Sequence, residues 1–257
     1  DLEIRMEKAL ADGEFLVYIQ PKYWVGTRAL AGGEALVRWK SPDQGFLSPG
    51  EFIPLFEKNR FIVKLDQFMF TSVCGLLRQW LDAGIEPRPL SVNVSQMQFH
   101  TPDFVERYGI KSQYAIPDGL LELEFTESIF FDNVALLSSA VHEFRRAGIK
   151  CSIDDFGAGY SSLNVLKALP VSVLKLDGMF FRTAKDDEQA NIVIRNIMRM
   201  AGELKMATVA EGVETPEQVA FLETTGCDII QGYVFARPMP AAEFTELLAG
   251  EGGHAEH

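Results

Sequence analysis

The chain has 257 residues, of which 47% are hydrophobic and 23% charged. That is enough apolar material for a substantial core, and it excludes intrinsic disorder, whose signature joins low hydrophobicity to high net charge. With 24 Lys and Arg against 36 Asp and Glu, the formal net charge is −12, which excludes the basic footprint of a protein that binds DNA or RNA polymers.

In chain order, strands are predicted at Phe15–Gln20, Ala29–Trp39, Pro89–Val94, Leu120–Thr126, Ile149–Asp154, Val171–Asp177, Thr208–Glu211 and Asp228–Gln231. Helical spacing of apolar residues marks Arg60–Ala83, Asn133–Ala147, Glu188–Lys205, Glu217–Thr224 and Ala241–Leu248. Gly84, Gly148 and Gly226 stand where a left-handed cap ends a helix, and Thr215-Pro216 reads as an N-cap followed by a first-turn proline. The first two strands are joined by a short polar segment, Pro21–Arg28, with no room for a helix, so they are expected to pair antiparallel. The loose hairpin that follows Pro21-Lys22-Tyr23-Trp24 is expected to touch no motif residue. Elsewhere strands and helices alternate, which argues for a parallel sheet with right-handed crossovers. About eight such units fit an α/β fold, a (β/α)8 TIM-like barrel with an antiparallel first strand. An open doubly wound sheet is the alternative.

Cys74, Cys151 and Cys227 form no CxxC pair, so neither a disulfide scaffold nor a Cys-rich zinc site is expected, and a reducing compartment suits them. No apolar run approaches the ~20 residues of a membrane span, and no signal peptide is read. A chain that starts at Asp1 is expected to be a domain of a longer protein, with residues 1–249 as the domain and 250–257 as a disordered, Gly-rich tail.

The informative pattern is where polar residues interrupt or end the strands. Glu34 lies inside Gly33-Glu34-Ala35-Leu36-Val37-Arg38-Trp39, and Asn93 comes late in Leu90-Ser91-Val92-Asn93. Glu124 and Glu127 close the fourth strand, Asp154 and Asp155 the fifth, Lys175 comes late in the sixth, Glu211 ends the seventh and Gln231 the eighth. In an α/β barrel these ends form one rim, where the active site sits. A single acid there reads equally well as a helix cap. Several acids together repel one another and cannot all ionise unless a cation joins them. Oxygen donors without His or Cys suit Mg²⁺ or Mn²⁺, and the adjacent Asp154 and Asp155 can serve two ions ~3.5–4 Å apart, the arrangement of two-metal phosphoryl chemistry. Lys175 among these acids is a candidate to orient the attacking water or take its proton, the latter with a pKa lowered by the metals. Period two puts Glu34, Leu36 and Arg38 on one face, which makes Arg38 a candidate for a bidentate phosphate contact. Gly157-Ala158-Gly159 lacks the third glycine of a dinucleotide loop and reads as a flexible turn. Ser161 and Ser162 read as caps, and His100 and His142 as surface residues.

These residues resemble a known family. Glu34-Ala35-Leu36 followed by Val37-Arg38-Trp39 matches the name-giving motif of the EAL domains, the cyclic-di-GMP phosphodiesterases. The match continues through Tyr18-Ile19-Gln20-Pro21, Phe52-Ile53-Pro54, Asn93-Val94-Ser95, Glu124-Phe125-Thr126-Glu127-Ser128 and the run from Asp154 to Leu163. It closes with Leu174-Lys175-Leu176-Asp177, Glu211-Gly212-Val213-Glu214 and Gln231-Gly232-Tyr233. The resemblance implies a barrel of this kind and hydrolysis of bis-(3′-5′)-cyclic dimeric GMP to linear pGpG. By motif, Glu34, Asn93, Glu124, Asp154, Asp155 and Glu211 resemble metal ligands, Lys175 the base or water-orienting group, and Gln231 its partner near the substrate. Glu127 resembles the residue that holds the loop beginning at Asp155. Gln20, Leu36, Arg38, Asn93, Asp155, Glu214 and Pro238 resemble substrate contacts. The family further implies Mg²⁺ or Mn²⁺ as cofactors, inhibition by Ca²⁺, a homodimer, fused sensory or diguanylate cyclase domains, and a cytoplasmic place, as a free protein or the cytoplasmic part of a membrane-anchored one. Two other readings are carried beside it: a cyclic-di-GMP sensor of weak catalytic power, and a sugar hydrolase with paired acids.

Overall fold

The computed structural model describes residues 2–127, 129, 134–157, 166, 169–182 and 188–252. Strand β1 (Phe15–Trp24) runs antiparallel to β2 (Leu30–Ser41), with Gln20 opposite Glu34 and Tyr18 opposite Leu36. From β2 the sheet continues through β4 (Leu90–Asn93), β5 (Leu121–Thr126), β6 (Lys150–Phe156), β7 (Val173–Leu176), β8 (Ala207–Ala210) and β9 (Ile229–Ile230), each parallel to the one before. Strand β9 then returns antiparallel onto β1, Ile230 facing Tyr23, and closes an eight-stranded barrel. Two short strands, β3 (Gly45–Leu47) on β2 and β10 (Met239–Pro240) on β1, extend the sheet outside the ring. The barrel with an antiparallel first strand is the one read from the sequence, and the open sheet is not formed.

The first hairpin departs from expectation. Strand β1 runs on to Trp24, with Lys22 opposite Gly32, and the turn is confined to residues 25–29. Pro21 stands where the second neighbour of β1 changes from β10, paired at Tyr18 and Ile19, to β9, paired at Tyr23 and Trp24; a proline is tolerated in such an interrupted edge. This extension carries Lys22 into the barrel and onto Glu124.

Helices pack on the outside, among them α1 (Leu2–Ala11), α2 (Pro49–Lys58) and α3 (Ile62–Asp82). Helix α2 starts at Pro49, and the Glu51 carboxylate accepts the Ser48 N–H at 2.7 Å, a capping contact. Single turns at Phe104–Arg107 (α4) and Ile110–Gln113 (α5) follow β4; α6 (Val134–Arg146) follows β5. After β7 come α7 (Met179–Arg182) and α8 (Glu188–Glu203), then α9 (Pro216–Glu223) and α10 (Ala241–Gly252). The Thr215 side chain accepts the Gln218 N–H at the start of α9, with Pro216 in its first turn. Among the described residues no helix is long and apolar enough to cross a membrane.

Strand periodicity sorts the two faces of the ring. Outward positions are apolar and buried under the helices: Leu90 and Val92, Leu121, Leu123 and Phe125, Cys151 and Ile153, Leu174 and Leu176. The alternate positions carry Ser91, Glu122, Glu124, Ser152, Asp154 and Lys175, and these are also buried. Buried polar groups must find partners inside the ring, which is why the interior is an ionic network rather than a second oil layer. A separate aromatic cluster of Phe15, Trp39, Phe52, Phe56 and Phe61 seals β1 and β2 under α2.

Candidate active site

Lys175 is the centre of the rim. Its side chain has 0% exposure, and its Nζ lies 2.5 Å from Glu124 Oε2, 2.7 Å from Glu211 Oε1, 3.1 Å from Asp154 Oδ1 and 3.6 Å from Glu34 Oε2. Glu34 is held from two further sides: Asn93 Nδ2 donates to Oε1 at 2.7 Å, and Gln231 Nε2 to Oε2 at 2.5 Å. Gln231 also donates to Gln20 Oε1 at 3.2 Å. Residues from β1, β2, β4, β5, β6, β7 and the ends of β8 and β9 thus converge at one end of the barrel.

Electrostatics follow from this crowding. Burial alone would lower the pKa of the Lys175 ammonium, but the carboxylates of Asp154, Glu124, Glu211 and Glu34 reverse that and hold it well above its ordinary value. The ammonium is therefore a hydrogen-bond donor; the proton-taking role demands cations among the acids first. Burial opposes ionisation of Glu124, yet Lys175 and Lys22 bring its pKa down to about 2. The opposite holds around it. Burial and neighbouring acids push up Glu34, and Glu211 well above the carboxylate range although Lys175 pulls it down. Asp155 is raised by burial, then by Asp154 and Asp177.

That imbalance is a test of whether a metal fits. Asp154, Asp155 and Glu211 offer ligand oxygens all within 4.8 Å of one another, and the rim holds more acids than its ammonium groups can neutralise. A hard divalent cation suits both the charge deficit and the oxygen donors.

The local backbone explains how two adjacent aspartates serve one rim. The pairing of β6 with β7 shifts register between Ile153 and Phe156, and Asp155 takes φ +53°, a left-handed conformation that Asp tolerates better than most residues. The Asp155 N–H donates to Asp154 Oδ1 at 2.9 Å. Such irregularities re-aim side chains near functional sites. Behind this corner, buried Glu127 accepts the Gly157 N–H through Oε2 at 3.0 Å. Gly157 has φ +90°, and a Cβ there would stand 2.1 Å from the Phe180 ring. Ala158, Gly159, Ser161 and Ser162 lie outside the described residues.

Beside the rim is a pocket of about 280 Å³, walled by Leu36, Arg38, Ile53, Asp66 and Asn93 among others. Arg38 lies over the Tyr18 ring at 5.5 Å and donates to the Val37 carbonyl at 2.9 Å. Glu214 is exposed after β8, its N–H donating to Gln218 Oε1, and Pro238 is half-buried just before β10. These two stand apart from the ionic network.

The family model of the EAL domain matches residues 4–238. The chain belongs to the EAL domain family. Among relatives of this EAL domain is MucR of Pseudomonas aeruginosa, a bifunctional diguanylate cyclase/cyclic di-GMP phosphodiesterase, 34% identical over 245 residues that cover 95% of this chain and 36% of that protein. Another is PdeR of Escherichia coli, a cyclic di-GMP phosphodiesterase, 35% identical over 246 residues, 95% of this chain and 37% of that one. A solved structure of the PaMucR phosphodiesterase in complex with c-di-GMP superposes with a TM-score of 0.88 at 35% identity, covering 95% of this chain and 99% of that one. The EAL domain described here thus spans little more than a third of the length of these curated relatives.

Sequence reading missed two buried groups. Lys22 joins the network from β1, and its signal was available, since period two from Gln20 points it the same way. Asp66 on α3 accepts the Ser95 N–H at 2.9 Å and Gln98 Nε2 at 3.1 Å, holding the loop after Asn93. A helical acid amid apolar residues gave no hint of that partner.

Proposed function

We propose that this EAL domain hydrolyses one phosphodiester of bis-(3′-5′)-cyclic dimeric GMP to linear pGpG with the aid of two Mg²⁺ or Mn²⁺ ions. The observation that carries the reading is the gathering of Glu34, Glu124, Asp154 and Glu211 around one fully buried lysine, in a chain whose family includes phosphodiesterases of that dinucleotide. A sugar hydrolase needs two acids; it gives no reason for the rest, nor for Lys175.

Glu34, Asn93, Glu124, Asp154, Asp155 and Glu211 would hold the ions, and when bound these supply neutralisation of phosphate oxygens and acidification of the attacking water. Lys175, kept as an ammonium, donates a hydrogen bond that orients the water. Gln231 and Asn93 fix both oxygens of Glu34, so its carboxylate is oriented before substrate arrives. Arg38 presents a fork of donors to a phosphate over the rim. Leu36, on the pocket wall, and Gln20, bonded to Gln231, would be further contacts of the dinucleotide, with Glu214 and Pro238 as outer ones. Glu127, through Gly157, steadies the backbone beyond Asp155.

The test is chromatographic. Purified protein with Mn²⁺ and the cyclic dinucleotide is expected to release pGpG, and EDTA to stop it; Ca²⁺, with its looser geometry, is expected to inhibit. Tight dinucleotide binding with no product at high enzyme concentration would assign the domain to sensing.

A further inference from the structure

We propose that Lys22 is a positioning residue, fixing Glu124 from beneath so that its carboxylate keeps one attitude toward Lys175 and the rim acids. Its Nζ lies 2.9 Å from Glu124 Oε1 and donates to Ser91 Oγ at 2.7 Å. Lys175 takes the other oxygen of the same carboxylate. Glu124 is therefore clamped between two ammonium groups from opposite sides of the ring, one on β1 and one on β7.

The two lysines are not equivalent. Lys175 touches four rim acids. Lys22, among the described residues, forms its ion pair with Glu124 alone and sits one layer deeper, over the floor of the barrel. That floor is a cavity of about 110 Å³ lined by Lys22, Trp24, Ser91, Glu122, Lys150 and Ile229. Lys22 thus touches none of the other acids at the rim; it acts through Glu124. A carboxylate buried this completely is costly without paired charge, and without Lys22 the Lys175 ammonium and the neutral Ser91 hydroxyl are left to hold it. The antiparallel direction of β1 makes the clamp possible: it brings Gln20 to the rim layer and Lys22 to the layer below. Removing the clamp should disturb metal binding, because groups that orient a ligand typically cost ~10–100-fold in metal affinity or activity when lost.

This inference rests on the metal-dependent reading of the rim, so wild-type protein is measured first. If it neither binds Mn²⁺ by calorimetry nor releases pGpG, that reading fails, and the inference with it. If it does both, Lys22→Met is expected to weaken Mn²⁺ binding without nucleotide by ~10–100-fold and to lower kcat while the KM for the dinucleotide stays put. Lys22→Arg is expected to restore part of the affinity. So is ethylammonium added to Lys22→Ala, since the deleted side chain opens onto the floor cavity. Wild-type Mn²⁺ affinity and turnover in Lys22→Met overturn the proposal. A loss that neither Lys22→Arg nor ethylammonium relieves, in a variant that melts like wild type, is a packing effect and also overturns it. Should the Lys22 variants not fold, Ser91→Ala removes the hydroxyl that Lys22 bonds at 2.7 Å and that also bonds Glu124, so it loosens the clamp on that carboxylate and must weaken Mn²⁺ binding; unchanged affinity there sinks the idea.

Discussion

Lys175 Nζ and Glu124 Oε2 lie 2.5 Å apart inside the barrel, and neither side chain is open to solvent. The pair is the hub of a network whose other acids compete for the same ammonium. A lysine so placed serves two ends: it keeps the folded barrel from carrying unpaired buried charge, and it presents a proton donor at the rim. We expect Lys175→Ala to bind the cyclic dinucleotide nearly as wild type does while turnover falls by ~10²–10⁴, the scale of acid–base and water-orienting groups. Without divalent ions the variant should also melt lower than wild type, because breaking a buried pair costs about 3–5 kcal/mol; Mn²⁺ should narrow that gap. Equal losses in binding and turnover would make Lys175 a binding residue.

Glu34 is the rim acid whose two oxygens are both held by amides, Asn93 on one and Gln231 on the other. Those amides donate protons, so they hold the carboxylate without cancelling its charge and leave it available to a cation. Glu34→Ala is expected to abolish pGpG release and to weaken Mn²⁺ binding in calorimetry. Glu34→Gln, isosteric but uncharged, should keep the thermal stability and still lose turnover. A Glu34→Gln protein with wild-type rates would remove Glu34 from the metal site.

The Asp155 corner depends on Gly157. An alanine there must adopt φ +90° with its Cβ against Phe180, 2.1 Å from the nearest ring atom, so either the ring or the loop moves. Glu127 then loses its grip on the N–H. We expect Gly157→Ala to lower kcat on the order of 10²-fold, the cost of displacing a catalytic group by about 1 Å, with a smaller change in melting temperature. Proportional losses in both would mean that the glycine serves folding only.

How much of this was legible in the sequence varies by kind of residue. The strand alternation Leu121-Glu122-Leu123-Glu124-Phe125 already says that one face of β5 is oily and the other ionic, and the barrel supplies the reason. Glu34, Asp154, Lys175 and Glu211 could be placed together once strand ends were assumed to share a rim. What the sequence hid were partners fixed by closure of the ring. Lys22 meets Glu124 across 102 positions only because β1 runs backwards past β2 and on to Trp24, and the polar look of Pro21–Arg28 suggested that the strand stopped earlier. Helix α2 is not among the predicted elements; it holds Pro54 in its interior and starts on Pro49, a permitted N-terminal proline.

Asp66 yields a prediction about stability rather than catalysis. It is buried on α3, and burial pushes its carboxyl from 3.8 up to about 7; the Ser95 and Gln98 hydrogen bonds pull it partly back, and Glu57 adds repulsion. For an acid whose native value lies above its unfolded one, the native state holds the proton more tightly. Below 3.8 both states are protonated and the group has no effect. Between 3.8 and about 7 stability falls as pH rises, and above about 7 the full cost is present. At ~1.4 kcal/mol per unit, that cost is on the order of a few kcal/mol. Asp66→Asn keeps an oxygen to accept from Ser95 and Gln98 without the charge. Urea unfolding near roughly pH 5 and pH 8 should therefore show wild type losing stability across the interval and Asp66→Asn losing much less, with the variant the more stable protein at the upper pH. Parallel curves for the two would show that Asp66 ionises in the barrel wall at no cost, solvated through the pocket it helps to wall.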